Sequence, residues 1–105
     1  MTLSNYERGN CIKSEVDFKM DNTYTDPSGN VAYVDVIKPD GTYLVSAGTA
    51  SRDSTGQYHY YFETANSDPL GIYVVVWKGM HNLGGTYGYK NIINRRAINI
   101  IYEND

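Results

Sequence analysis

Cysteine is almost absent from this chain, which has Cys11 alone among its 105 residues. A single cysteine excludes an internal disulfide and any metal site built on paired cysteines. Positive charge is also scarce, because nine Lys and Arg stand against twelve Asp and Glu and leave a net charge of -3. Nucleic acid and anionic membranes bind through basic surfaces. We therefore expect neither of them as a partner.

Long apolar runs are missing too. The longest one, residues 72–77, is far too short to cross a membrane. The first residues contain no basic stretch followed by an apolar segment, so they predict no signal peptide. Localisation stays open between two cases. Either the protein acts where it is made, or it is a domain of a longer secreted chain.

Strand-forming residues dominate what is present. Val, Ile, Thr and the aromatic residues number 38, whereas Ala, Leu, Glu, Lys, Arg, Gln and Met number 26. Branched and aromatic side chains fit a pleated, half-buried surface, and ten Gly and ten Asn supply turns. Together with a length typical of one domain, this predicts a single all-β domain spanning residues 1–105.

Alternating apolar and polar residues predict six strands and a possible seventh. The apolar stretch around Val75 is predicted to be a central strand covered on both faces. Residues 4–10 read as a lead-in with a turn at Gly9, and residues 78–96 as a long loop with a short irregular strand near 86–89. The six predicted strands cover residues 12–20, 32–36, 42–50, 57–63, 72–77 and 97–102. The predicted core residues are Val16, Phe18, Val34, Val36, Tyr58, Tyr60, Val75 and Trp77.

The pattern Asp-x-x-Gly-x-Tyr occurs twice, each time just before a predicted strand. The two copies consist of Asp53, Gly56 and Tyr58, and of Asp68, Gly71 and Tyr73. A tyrosine at a strand start can bury its ring and direct its hydroxyl at a nearby backbone group, which makes a structural corner. The glycine permits a tight reversal and the aspartate can cap the turn. A role in ligand contact is the less favoured interpretation.

These corner and turn motifs carry a resemblance that covers most of the chain. They are Tyr6-x-Arg8-Gly9, Asp26-Pro27, Pro39-Asp40-Gly41, Arg52-Asp53-Ser54-Thr55-Gly56-x-Tyr58 and Gly71-x-Tyr73-x-x-x-Trp77. The order resembles the short immunoglobulin-like β-sandwich proteins that tailed phages and archaeal proviruses encode among their structural genes. It is also similar to macroglobulin-like and bacterial surface immunoglobulin-like repeats. The chain departs from antibody domains because Tyr60 stands where the second bridging cysteine is expected.

The sequence offers no catalytic constellation, so we predict no enzyme, no catalytic residue and no cofactor. Cys11, His59 and His81 lack the spacing of zinc ligands. The aspartates fall mainly at turns or on polar faces. The loop at residues 21–30 could offer Asp21 and Asp26 to calcium, but it lacks the spacing of an EF-hand. We therefore predict no metal site.

Eleven tyrosines are the main functional clue. Tyrosine provides a large contact area at low entropic cost. Alternation and loop position put six of them on loops or outward faces: Tyr24, Tyr33, Tyr43, Tyr61, Tyr87 and Tyr89. The candidate contact residues among them are Tyr33, Tyr61, Tyr87 and Tyr89. The alternative, left open here, is that tyrosine serves simply as a strand former that a second sheet face or a neighbouring subunit buries.

The sequence thus predicts an antiparallel, immunoglobulin-like β-sandwich of six to seven strands, without enzymatic activity. The resemblance implies a virion-associated component that acts through protein–protein contacts or self-assembly, located in a virion or a host cytoplasm. The alternative is an extracellular repeat of an adhesion protein. A carbohydrate-binding module is a third possibility, and oligomeric state is left open.

Overall fold

A computed structural model describes residues 4–82 and 88–101 of the chain. Within these residues the protein is all-β, as the composition predicts, and has no α-helix. One short 3-10 turn occurs at Ser28–Asn30. The strands are β1 (Ser4–Glu7), β2 (Cys11–Asp17), β3 (Lys19–Met20), β4 (Thr23–Tyr24), β5 (Tyr33–Ile37), β6 (Tyr43–Thr49), β7 (Ser51–Ser54), β8 (Gln57–Glu63), β9 (Gly71–Asn82) and β10 (Tyr89–Ile101).

Two main sheets and one small hairpin contain these strands. The larger sheet has the order β1-β10-β9-β5-β6, and the smaller has the order β2-β8-β7. Neighbouring strands are antiparallel except β1 and β10, which run parallel. β9 is central in its sheet, as predicted, but it is not covered on both faces, because Ile72 and Met80 on its outer face are exposed. Ten strands occur in the described part of the chain, more than the predicted six to seven, because short strands of two to four residues add β1, β3, β4 and β7.

The inner faces of the two sheets share one hydrophobic core. Seven of the eight predicted core residues are buried, and Tyr60 packs against them while only partly buried. Trp77 on β9 is fully buried and donates a 3.1 Å hydrogen bond from its Nε1 to the Ser14 hydroxyl on β2. This bond joins the two sheets through their interior.

The predicted loop over residues 78–96 is wrong. β9 continues to Asn82 and β10 begins at Tyr89, and the two strands pair along their whole length. Glycine and asparagine weaken strand patterns, yet Gly79 has a packing reason to be there. A Cβ at this position would lie 2.9 Å from Cγ of Pro27, so any larger residue would clash with the proline ring where the strand runs beside it.

The hairpin also elongates the molecule. Residues 79–82 extend past β5 and pair with β10 alone. The Cα radius of gyration is 15.2 Å, above the roughly 13 Å expected for a compact chain of this length. Within the described residues no helix is long and apolar enough to cross a membrane.

Two N-terminal predictions also need correction. The lead-in includes a true strand, because β1 pairs with β10, although Gly9 does turn the chain with a φ of 91°. The strand predicted over residues 12–20 breaks after Asp17. A second short hairpin, β3-β4, then forms around Asp21 and Asn22, whose φ values of 51° and 64° suit a tight turn.

Candidate interaction surface

Tyr73 occupies a corner at the start of β9. Its ring is fully buried, and its hydroxyl donates a 2.6 Å hydrogen bond to the carbonyl oxygen of Pro69, four residues earlier. Gly71, between them, has a φ of 126°, which a residue with a side chain rarely adopts. The side chain therefore fixes the entry of the chain into the central strand.

Asp68 stabilises the loop before this corner. Its carboxylate accepts a 2.7 Å hydrogen bond from the backbone N–H of Ala65 and pairs with Lys38 at 2.8 Å. The hydrogen bond from Lys38, followed by that from Ala65, holds the pKa of Asp68 below its usual range. Arg8 donates to the backbone carbonyl of Asp68 as well, and so connects the N-terminal turn to the same loop.

The first Asp-x-x-Gly-x-Tyr copy is arranged differently from the second. The buried Tyr58 donates a 3.0 Å hydrogen bond to Oδ1 of Asp26, which lies in another loop. Gly56 has a φ of 73° and donates its backbone N–H to the same oxygen at 2.8 Å. Asp53 takes no part in this cluster and instead contacts Nδ1 of His59 at 2.6 Å.

Asp26 is the centre of this cluster, and the sequence did not single it out for this role. Arg52 donates to both of its carboxylate oxygens, at 3.1 and 2.9 Å. These bonds, with those from Gly56 and Tyr58, outweigh burial and lower the pKa of Asp26 to about 2. Burial and the adjacent carboxylate raise the pKa of Tyr58 to about 12. A carboxylate engaged by three donors is a structural anchor, which leaves it a poor calcium ligand.

Exposed apolar side chains concentrate on the outer face of the five-stranded sheet. Eight large apolar side chains are exposed among the described residues, and six of them lie on this face. Strand alternation and the pairing register place them there together. They are Tyr33, Tyr43, Ile72, Met80, Ile93 and Ile101, and we call the outer side of this sheet the apolar face.

A concavity lies at one end of the apolar face. Its volume is about 420 Å³, and it opens beside the part of β9 that continues past β5. Its lining is mainly apolar but includes Lys78. The remaining lining residues are Ser28, Val31, Tyr33, Gly79, Met80 and Asn91.

Few charges interrupt the apolar face. Asp35 is nearly buried, forms an ion pair with Lys78 and accepts a 2.7 Å hydrogen bond from the backbone N–H of Ala47. Burial alone would raise the pKa of Asp35, but the bonds from Lys78 and Ala47 outweigh it and lower the pKa. Arg95 pairs in register with Val76 and adds one positive charge. The centre of the face therefore carries a net charge of about +1, with the pair of Asp35 and Lys78 neutralised and Arg95 left over.

The outer face of the three-stranded sheet is polar by comparison. It carries one exposed aromatic side chain, Tyr61, which contacts the ring of His59 edge-on. The other outward residues of β2 and β8 are Cys11, Lys13, Glu15, Asp17, Gln57 and Glu63. No cluster of three His, Cys, Asp or Glu side chains suited to a metal ion occurs among residues 4–82 and 88–101.

The predicted contact tyrosines do not form one site. Tyr33 lies on the apolar face, and Tyr61 lies on the opposite, polar face. Tyr87 lies outside the described residues. Tyr89 begins β10, and only its backbone position is described.

The sequence pattern does not reveal the isoleucines and Met80 of the apolar face. Met80 and Ile93 fall within residues 78–96, where Asn94, Arg95 and Arg96 leave no apolar–polar alternation, so the local pattern predicts a loop. Ile72 and Ile101 lie in predicted strands, and which face of those strands stays uncovered depends on how the strands pair.

Comparisons with known proteins leave the chain without a family. No protein-family model matches the sequence, and neither a curated protein nor a solved structure matches it significantly.

Proposed function

We propose that the chain is an immunoglobulin-like sandwich. Variable-type domains of that class place strands G, F, C and C′ side by side in one sheet and strands B, E and D in the other. The order β10-β9-β5-β6 and the order β2-β8-β7 fit this scheme. The Tyr73 corner at the start of β9 supports it, since the corner tyrosine belongs at the start of strand F.

The proposed function is a non-enzymatic structural or interaction module that acts through protein–protein contacts. One observation carries it, namely that six of the eight exposed large apolar side chains described share one sheet face. A soluble domain rarely leaves such a surface uncovered unless it is a contact site. A single uncompensated positive charge, that of Arg95, is too little to hold a polyanion, so the face suits a protein surface better.

The motif resemblance supports a specific version of this proposal, in which the module is a virion-associated component of a phage or archaeal virus. A sugar-binding role fits less well. Trp77, the only tryptophan and the natural sugar platform, is fully buried in the core. We therefore do not retain carbohydrate as a proposed ligand.

Photo-cross-linking in the source cells tests the contact role. A photoreactive phenylalanine derivative replaces Tyr43 on the apolar face or Tyr61 on the polar face, which are 54% and 55% exposed. Cross-linked protein products from position 43, and few from position 61, are expected. Equal yields from both positions, or none from position 43, would contradict the proposal.

Protein identification in purified particles tests the virion version. The chain should be found by mass spectrometry in virions from the same source, at a constant ratio to the major capsid protein. Its presence only in cell-surface fractions would instead support the adhesion repeat.

A further inference from the structure

We infer that the free edge of β2 is a second contact site, which takes an extended segment of a partner protein as an added strand and binds an acidic side chain of that segment with Arg96. The site lies between the two sheets and shares no residue with the apolar face. It therefore goes beyond the contact role proposed for that face.

β2 is an edge strand with an even ladder. Its seven residues pair with β8 in unbroken register. In the part of the chain that the structure describes, no strand pairs with its other side. Such an edge presents a row of backbone N–H and C=O groups, and an extended peptide can satisfy them by adding a strand.

The other edges of the two main sheets are shorter or irregular. β1 and β7 have four residues each, and β7 also shifts its register against β8 between Arg52 and Ser54. β6 is as long as β2, but its pairing with β5 shifts register twice and Ala47 has a φ of 52°. Short strands and bulges discourage strand addition. β2 is therefore the edge best suited to receive a partner strand.

The inner face of the larger sheet is uncovered near this edge. Val75 and Trp77 on β9 are buried, whereas their register partners on β10 are not. These partners are Arg96, which is exposed, and Asn94, which is half-buried. Because register partners point to the same side of a sheet, the side chain of Arg96 points towards the smaller sheet while remaining open to solvent.

A cavity joins Arg96 to the edge of β2. Its volume is about 120 Å³, and residues 13–15 of β2 line it together with Arg96. A cavity of about 150 Å³ can hold benzene, so this one has room for a short side chain. The apolar part of its lining consists of Ile12, Phe62, Val75, Ala97 and Ile98.

Charge selects an acidic side chain for this cavity. Nζ of Lys13 lies 4.0 Å from Oε1 of Glu15, so these two charges offset one another. Arg96 forms no ion pair with any residue that the structure describes. Its guanidinium can donate two parallel hydrogen bonds to a carboxylate. The partner segment is therefore expected to carry Asp or Glu on its inward side.

The neighbouring inward positions of the segment should be apolar. Side chains two residues apart along a strand point to the same side of the sheet. On β2 the inward residues on either side of Ser14 are Ile12 and Val16, and both are buried. The expected segment thus has one acidic residue flanked, two positions away on each side, by aliphatic residues.

A peptide library tests this specificity by fluorescence anisotropy. Its peptides have the length of β2, seven residues, with threonine at the outward positions, valine at two inward positions and a variable residue at the centre. The wild type should bind peptides with Asp or Glu at the centre best. Arg96→Glu should bind these about tenfold more weakly, as loss of a hydrogen bond to a charged group entails, and should prefer Lys or Arg instead. Arg95→Glu, on the opposite face of the same strand, is the matched control and should keep the wild-type preference.

Hydrogen exchange followed by NMR tests the addition of a strand. With the acidic peptide bound, the amides of β2 that point away from β8 should exchange more slowly, and those at the free edge of β7 should not change. Successive backbone N–H groups of a strand point to opposite edges. Methylation of one alternate set of peptide nitrogens should therefore abolish binding, whereas methylation of the other set should not.

Each part of the inference has an outcome that overturns it. If no peptide binds at about millimolar concentration, the site falls. If Arg96→Glu keeps the preference for acidic centres, the role of Arg96 falls, and if binding leaves exchange in β2 unchanged, strand addition falls. Cross-linking from position 43 depends on none of these results, so the contact role of the apolar face is tested separately.

Discussion

Tyr58 and Asp26 are 32 residues apart in the chain, and the hydroxyl of the tyrosine donates a 3.0 Å hydrogen bond to the carboxylate. The same carboxylate accepts hydrogen bonds from the side chain of Arg52 and from the backbone N–H of Gly56. The loop before β5 is thereby joined to the β7-β8 hairpin. Because the acceptor is charged, these bonds are stronger than those between neutral groups.

Acid should weaken this junction in a defined range of pH. The folded pKa of Asp26 is about 2, below its ordinary value of 3.8. A lowered folded pKa means that the stabilisation is complete above about pH 4 and is lost as the pH falls through about 2. Asp26→Asn should lower the free energy of unfolding by about 1 to 2 kcal/mol at pH 7, allowing for solvent screening at the half-exposed Arg52. Its difference from wild type should shrink below about pH 4 and be small near pH 2.

Urea unfolding at a series of pH values measures this difference. Glu15→Gln, on the exposed face of β2, is the control and should follow the wild type throughout. A constant difference between Asp26→Asn and wild type down to pH 2 would show that the ionised carboxylate is not the source of the stability.

Loss of the corner hydroxyl should destabilise the fold. Tyr73→Phe removes the bond to the Pro69 carbonyl and leaves that partly buried acceptor unpaired, at a cost of about 1 kcal/mol. Thermal unfolding of Tyr73→Phe and of Tyr61→Phe, whose hydroxyl is exposed, provides the comparison. An unchanged melting temperature for Tyr73→Phe would argue against a stabilising corner.

Gly48 on β6 should tolerate no side chain. A Cβ there would lie 2.6 Å from the hydroxyl oxygen of Tyr60 and 2.8 Å from Cγ1 of Val45. Gly48→Ala should therefore cost about 1 to 3 kcal/mol through overpacking. Ser46→Ala, an exposed change in the same strand, should be nearly neutral. Equal stability of the two variants by chemical denaturation would refute the packing argument.

Removal of Lys78 should leave the buried carboxylate of Asp35 without its ion-pair partner. Lys78→Met takes away the cation that faces Asp35 and leaves Ala47 as the remaining donor, so the pKa of Asp35 should rise. We expect a loss of stability at pH 7. Because the variant raises the pKa of Asp35, this carboxyl becomes neutral as the pH falls and no longer lacks a cation. The loss of stability should therefore shrink at lower pH. The Lys78→Met/Asp35→Asn double variant should recover stability, and failure to do so would contradict this account.

The fold class was readable from the sequence because alternation and composition report burial directly. Val16, Val34 and Val75 fall on the inward phase of their strands, and the structure buries all three. The extent of β9 and β10 was not readable. Gly79 and Asn91 are poor strand formers, and their pairing depends on a partner strand that local pattern does not reveal.

Only part of the apolar face could be predicted from the sequence, because strand pairing again decides which residues share a face. Tyr33 stood out by residue type, whereas Ile93 and Met80 required knowledge of which strands lie side by side. The sequence points to Asp26 only as part of a turn and as a candidate calcium ligand. Its contacts with Arg52 and Tyr58 span 26 and 32 residues, and separations of that size arise from tertiary packing alone.

The parallel ladder between β1 and β10 has a mechanical consequence. Ser4 pairs with Ile98 and Glu7 with Ile101, so the chain enters one strand and leaves the other at opposite ends of the same ladder. A pulling force applied through these two ends loads the ladder in shear. Its hydrogen bonds must then yield together rather than one by one, so the outermost strand pair resists extension along the axis between them.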